Sequence, residues 1–239
     1  MPNCYTLFPL WSATDHFQVV IAYTSASSKP KADSMIDEIG KLGNQSKATS
    51  VCQNLTNLDA APTLVSATLD AFGPHIDILV NNAAVELAKP MTEITADDFA
   101  NVYNLNVRAV HLLTQAVVPH LRAPGRIINI SSVGARAGFA NLSMYCSSKA
   151  ALEGLTRCWA AELGKDGTTV NAVAPGPVES DMLANIPKEI VDMQKANTAV
   201  QKRVGTPQEI ADVVSWLAGG ESGWVSGQVV NASGGWTMY

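Results

Sequence analysis

The chain has 239 residues, 47% of them hydrophobic and 15% charged, with a formal net charge of -5. That supplies one substantial core, and α/β folds of this length commonly form a single domain. The acidic balance and the absence of any basic run exclude nucleic acid or an anionic membrane as the main partner and point to a small molecule.

Cys4, Cys52, Cys146 and Cys158 form neither a C-x-x-C pair nor a dense disulfide framework, so buried free thiols in a reducing, cytoplasmic setting are expected. Residues 1 to 18 lack the basic start and long apolar stretch of a signal peptide, and no apolar run approaches the roughly twenty residues that span a bilayer. No metal ion is expected.

From residue 17 onward, short β-branched runs alternate with amphipathic stretches of helical length, the pattern of a parallel sheet covered by helices. Strands are predicted over 18–23, 48–53, 76–81, 125–131, 168–174 and 228–231, several as near-continuous Val/Ile runs suited to burial on both faces. Thr95-Ala96-Asp97-Asp98 opens a long helix toward Leu121. Thr206-Pro207-Gln208-Glu209 combines a capping threonine, proline at the first helical position and a glutamate reaching back.

Tyr145 lies at the start of a helix running to about Gly164, with Lys149 one turn later on the same face. The Tyr-x-x-x-Lys spacing alone is weak, since chance produces it in roughly one such sequence in six. Its chemistry is specific, however. A cation a few ångströms from a phenol favours phenolate by roughly 3 to 4 kcal/mol, which lets tyrosine exchange a proton near neutral pH. The strand 125–131 runs into Ser131-Ser132, thirteen residues before Tyr145, where a hydroxyl can meet a developing oxyanion. Carboxyl ends of strands in a doubly wound sheet are where ligands bind. Two further such ends carry Asn81-Asn82-Ala83-Ala84 and Ala174-Pro175-Gly176-Pro177-Val178-Glu179-Ser180.

Taken together, these landmarks resemble the short-chain dehydrogenase/reductase family from about residue 18 to the C-terminus. The resemblance implies an α/β, Rossmann-like doubly wound parallel sheet forming a single domain over residues 18–239. It implies Ser132, Tyr145 and Lys149 as catalytic serine, tyrosine and lysine. Asn104, in Tyr103-Asn104-Leu105, matches the asparagine that holds a relay water behind the lysine. The same resemblance sets Tyr145 and Lys149 against the cofactor, Asn82 along its adenine and ribose side, and Val178 and Ser180 at the nicotinamide carboxamide. Asn54 stands where the family usually has an aspartate beside adenine. Singly, these residues read equally well as a strand-end serine, a half-buried tyrosine, a surface lysine and a helix-interior asparagine; the specificity is in the set.

An NAD-binding member needs an acidic residue after the second strand to bond the ribose 2′-hydroxyl. Here Thr24-Ser25-Ala26-Ser27-Ser28-Lys29-Pro30-Lys31 carries no carboxylate, and its hydroxyls, Ser25 among them, and cations suit a 2′-phosphate. NADP(H) is therefore expected over NAD(H), against the alternative of a plain polar loop before a helix.

The family opens with a strand, a glycine-rich turn and a helix whose N-terminus faces the pyrophosphate. This chain has no glycine before Gly40, and its first seventeen residues are fewer than the about 25 to 30 that such a unit needs. Residues 1–17 are read as atypical, with the first strand and first helix altered or absent and Cys4-Tyr5-Thr6-Leu7-Phe8 as the one β-prone run. A variant start or exon, a loss of redox activity, or an unusual cofactor site would each account for this.

The expected function is that of an NADP-dependent oxidoreductase that reduces a ketone or oxidises a secondary alcohol, resembling fungal ketoreductases of acyl or polycyclic aromatic ketones. The alternative is a non-catalytic scaffold or binding subunit. A substrate pocket is expected among Val133, Phe139, Met144 and Pro177, under a mobile lid over 181–204. Apolar residues beyond what one sheet face covers, Leu112, Leu113, Leu155 and Trp159, point to a homodimer or homotetramer.

Overall fold

The computed structural model describes residues 17–180, 183 and 186–239. Cys4 and the β-prone run to Phe8 lie outside the described residues, as do Asp181, Met182, Ala184 and Asn185 at the head of the expected lid.

Strands and helices alternate as β1 (Gln18–Tyr23), α1 (Lys29–Gly40), β2 (Lys47–Cys52), α2 (Ala60–Phe72), β3 (Ile76–Asn81), α3 (Ala96–Tyr103), α4 (Val110–Val117), β4 (Leu121–Ile130), α5 (Ser143–Leu163), β5 (Thr169–Pro175), α6 (Lys188–Asn197), α7 (Pro207–Ala218) and β6 (Val229–Ala232). All strand pairs are parallel. This is the expected α/β, Rossmann-like fold, but among the described residues its sheet comes in two pieces. One is the pair β1-β2, the other the four strands in the order β3-β4-β5-β6. No described strand bridges β1 to β3, where the expected fold would set its first strand.

Burial follows from the sequence pattern. Residues 169–174 of β5 are buried throughout, as a strand covered by helices on both faces must be. On one face Ile127 and Val170 pack with Leu152 and Trp159 of α5. On the other, Ile128 and Val173 pack with Val214 and Leu217 of α7. Each such side chain contributes about 1.5 to 3 kcal/mol by leaving water. The small sheet has its own cluster of Val19, Ile21, Tyr23 and Ala32.

Both predicted capping boxes form, at Thr95 with Asp98 and at Thr206 with Glu209. The helix opened at Thr95 does not run unbroken to Leu121. It passes from α3 into a π-helical segment, Asn104–Ala109, then α4 and a 3-10 turn at Val118–His120, and Leu121 already begins β4. Beneath this irregular helix a buried polar ladder crosses the sheet. Asn81 Nδ2 donates to Asn129 Oδ1 at 2.8 Å and to Thr114 Oγ1 at 3.2 Å, and Asn129 Nδ2 donates to Thr156 Oγ1 at 2.9 Å. With every amide partnered, these groups fix β3 and β4 against α4 and α5 in one register.

Two expectations about burial are corrected. Cys52 and Cys158 are exposed rather than buried, although both, with Cys146, are free thiols. Trp159 is only 7% exposed, and Leu113 and Leu155 pack against the same core, so the chain itself covers much of the apolar surface expected to pair subunits.

Candidate active site

β4 ends at Ile130, and its ladder continues one step as the Ser131 amide donates to the carbonyl of Val173 at 2.7 Å. That step delivers Ser132 to the carboxyl edge of the sheet, where its Oγ accepts the Gly134 amide at 3.0 Å. The Ser132 side chain lies near enough to the Tyr145 hydroxyl to favour its ionised form, so the first two predicted catalytic residues come together at this edge. Four residues along α5, Lys149 is 2% exposed, places Nζ 5.8 Å from the Tyr145 ring centroid and donates to the Ile130 carbonyl at 2.7 Å.

The electrostatics differ from the expected picture. Tyr145 is half-buried, and burial around its hydroxyl pushes the phenol up to about 12. The Ser132 side chain pulls the other way and is outweighed; the Glu86 charge adds to the rise. A lysine committed to a backbone carbonyl does not offset the loss of solvation that a phenolate would suffer here. The expected depression of the Tyr145 pKa is therefore absent from the unliganded chain.

The asparagine of the site also differs. Asn104 is half-buried at the start of the π-helical segment. Asn106, two residues on, is fully buried, and its amide meets the backbone after β3 and the Tyr145 helix together. Its Oδ1 accepts the Val85 amide at 2.9 Å, while Nδ2 donates to the Val85 carbonyl at 2.9 Å and to Ser148 Oγ at 3.0 Å. Sequence reasoning missed it because the family resemblance was matched at Asn104, and burial within a π-helical segment leaves no mark in the sequence. Glu86, the next residue after this clamp, was missed as well. It is half-buried, and burial holds its carboxyl above the usual range, which brings a partly desolvated acid into the field of Tyr145 and Cys146.

Of the remaining predicted positions, Asn82 lines a cleft between the ends of β1 and β3. Ala22, Tyr23 and Thr24 from the end of β1 face Val80, Asn81, Asn82 and Ala83 from the end of β3, with Gln53 and Leu55 beside them. Asn54 forms a local turn instead of presenting its carbonyl oxygen to a base, because Oδ1 already accepts the Thr56 amide at 3.0 Å and hydroxyl at 2.9 Å. Ser25 Oγ pairs with Ser27 Oγ at 2.8 Å, and Lys29 is committed to Asp33 at 2.6 Å. Val178 bridges Gly205, and Ser180 Oγ donates to the Val178 carbonyl at 3.2 Å. Val133, expected in the substrate pocket, is buried at 5% exposure; Phe139 instead packs on Trp236. Among the described residues no cluster of side chains could hold a metal, and no helix is long and apolar enough to cross a membrane.

Known proteins share this arrangement. The sequence matches the family described as Enoyl-(Acyl carrier protein) reductase over residues 12–237. It is 34% identical to a short chain dehydrogenase from Burkholderia cenocepacia J2315 in complex with NADP, with a TM-score of 0.86, covering 94% of this chain and 89% of that one. The chain belongs to the short-chain dehydrogenase/reductase family. As a short-chain dehydrogenase/reductase it is an oxidoreductase. It is 42% identical over 227 residues to Dehydrogenase OXI1 of Cochliobolus heterostrophus, a match that covers 93% of this chain and 98% of that protein. It is 41% identical over 230 residues to the hydroxynaphthalene reductase-like protein Arp2 of Metarhizium guizhouense, covering 91% of this chain and 84% of Arp2.

The short-chain dehydrogenase/reductase family takes a nicotinamide cofactor, and this chain's residues fit most of one. The buried Lys149 cation lies beside Tyr145, and the cleft between β1 and β3 opens onto hydroxyls and amides able to meet sugar and base. The pyrophosphate position fits less well, since no glycine precedes Gly40 to let backbone amides approach it.

Proposed function

We propose that this protein is an NADP(H)-dependent reductase of ketones, working through Ser132, Tyr145 and Lys149 with Asn106 in the supporting position expected of Asn104. The observation that carries the reading is the grouping of Ser132, the Tyr145 phenol and a buried lysine, 5.8 Å from the Tyr145 ring centroid, at the carboxyl end of β4. NADPH supplies the hydride when bound. As the carbonyl carbon gains that hydride, the π electron pair moves to oxygen, Ser132 donates a hydrogen bond to the growing charge, and Tyr145 delivers its phenolic proton. Lys149 then faces a phenolate, which its charge stabilises until solvent returns the proton.

A phenol at about 12 stays protonated throughout the neutral range, which suits a proton donor. Asn106 fixes Val85 and Ser148, so it keeps the backbone after β3 at a constant distance from α5. Asn82, Asn54 and Ser25 are assigned to the adenosine side, and Val178 and Ser180 to the nicotinamide side. The preference for NADP(H) rests on the Ser25–Lys31 stretch, which offers hydroxyls and cations and no carboxylate. The intact serine–tyrosine grouping favours an enzyme over a scaffold. Free thiols at Cys52, Cys146 and Cys158 fit a cytoplasmic setting, and assembly into a dimer or tetramer completes the reading.

The test is turnover of NADPH by the purified chain with a panel of aliphatic and aromatic ketones. Ketone-dependent oxidation that is lost in Tyr145→Phe supports the assignment; no oxidation with any ketone at saturating NADPH rejects it.

A further inference from the structure

The last residues of the chain fold back over the loop that leaves β4. Gly234 and Gly235 turn the backbone at φ of 61° and 76°, a region that glycine enters without steric cost. Trp236 then meets Phe139 with ring centroids 5.3 Å apart, and Tyr239 lays its ring against Arg136, 4.6 Å from the guanidinium carbon to the centroid. Arg136 Nε donates to Glu153 Oε2 at 2.8 Å, and Ser131 Oγ donates to Glu153 Oε1 at 3.1 Å. A continuous row thus runs from the C-terminal tyrosine through Arg136 and Glu153 to the neighbour of Ser132.

We infer that Glu153, with Arg136 and Tyr239 behind it, is a positioning residue that registers the loop bearing Ser132 against the helix bearing Tyr145. Glu153 is the residue four beyond Lys149 on α5, so one carboxylate fixes the serine loop to the same helix face that carries the tyrosine and lysine. At 3% exposure that carboxylate depends on its partners, because a buried charge deprived of its cation is strongly destabilising. The Tyr239 ring lies against an Arg136 side chain that is still 37% exposed, and so excludes part of the water that would compete for the guanidinium. Contacts at the end of the chain thereby set the aim of a hydroxyl at the reaction centre.

The catalytic consequence rests on the ketone-reductase reading, so the experiment pairs kinetics with a readout independent of turnover. Full-length wild type, Tyr239→Ala and Tyr239→Phe are compared by hydrogen–deuterium exchange and by steady-state reduction of a ketone with NADPH. In Tyr239→Ala, amides of 131–139 should exchange about three- to fivefold faster while those of α7 stay unchanged, and kcat should fall about fivefold with KM for NADPH unaltered. Tyr239→Phe keeps the ring over Arg136 and should match wild type in both. Unchanged exchange in Tyr239→Ala, a Phe variant as impaired as the Ala variant, or faster exchange with an unaltered kcat would each overturn the inference. A wild type inactive on all ketones would count against the proposed function, and the exchange pattern would still decide whether Tyr239 holds the loop.

Discussion

Lys149 and Tyr145 share one face of α5 without sharing a hydrogen bond: the Lys149 Nζ sits 5.8 Å from the ring centroid and donates to Ile130 at 2.7 Å. In the unliganded chain the cation therefore ties α5 to the end of β4, while the proton stays on the phenol. The proposed reduction would use the pair in that order, with tyrosine as acid first and lysine as counter-charge afterwards.

Replacing Tyr145 by phenylalanine should lower kcat for ketone reduction by about a hundredfold or more, because one hydroxyl carries the proton. Circular dichroism and melting should be unchanged, since the ring still fills its place. Near-normal turnover in the variant would remove Tyr145 from the mechanism.

The raised phenol also has a consequence for stability. Tyr145 holds its proton to about 12 when folded, whereas an unfolded tyrosine loses it near 10. Below pH 10 both states are protonated and the contribution is constant. Between pH 10 and 12 the unfolded state binds fewer protons, so stability falls as pH rises, by on the order of 3 kcal/mol across the window. Urea unfolding from pH 9 to 12 should show this slope in wild type and a shallower one in Tyr145→Phe; parallel curves would contradict the burial of the hydroxyl.

Asn104 and Asn106 separate by mutation. Asn106→Ala leaves both polar groups of Val85 without their partner and should cost about 2 to 4 kcal/mol along with most of the activity. Asn104→Ala, at a half-buried position, should stay within about 1 kcal/mol of wild type by urea unfolding and keep its turnover. The reverse ranking would restore Asn104 to the site.

Those two asparagines also show where the sequence stopped being informative. β1 and β3 fall on the predicted residues, because alternating β-branched runs between turn signals have one good solution. Both capping boxes were visible for the same reason: their partners lie three residues apart. A π turn leaves no such local mark, and the family resemblance pointed to Asn104 when the fold buries Asn106. The pKa of Tyr145 was equally hidden. Its nearest cation was legible in the spacing, but the acceptor that claims that cation, the Ile130 carbonyl, belongs to a strand nineteen residues earlier.

NADPH should bind this chain more weakly than it binds the Burkholderia relative, by about 3 kcal/mol or more. No glycine precedes Gly40 in this sequence to bring bare backbone amides to a pyrophosphate, and Lys29 is already engaged by Asp33. Calorimetric titration of both proteins under one buffer decides it. Low-micromolar binding by this chain would refute the expectation.

The division of the sheet has a further meaning for how the molecule opens. β1, α1 and β2 carry their own apolar cluster, and among the described residues no strand ladder joins them to β3. Such a unit can detach at a lower free energy than the four-stranded body, giving two tiers of protection against a protease. The cleft that would receive a nucleotide is walled by Tyr23 and Thr24 on one side of this seam and by Asn81 and Asn82 on the other. A dinucleotide seated there acts as a cross-brace between the two bodies. Its affinity is then drawn down by the work of docking them, and the seam becomes harder to cleave as the ligand is added.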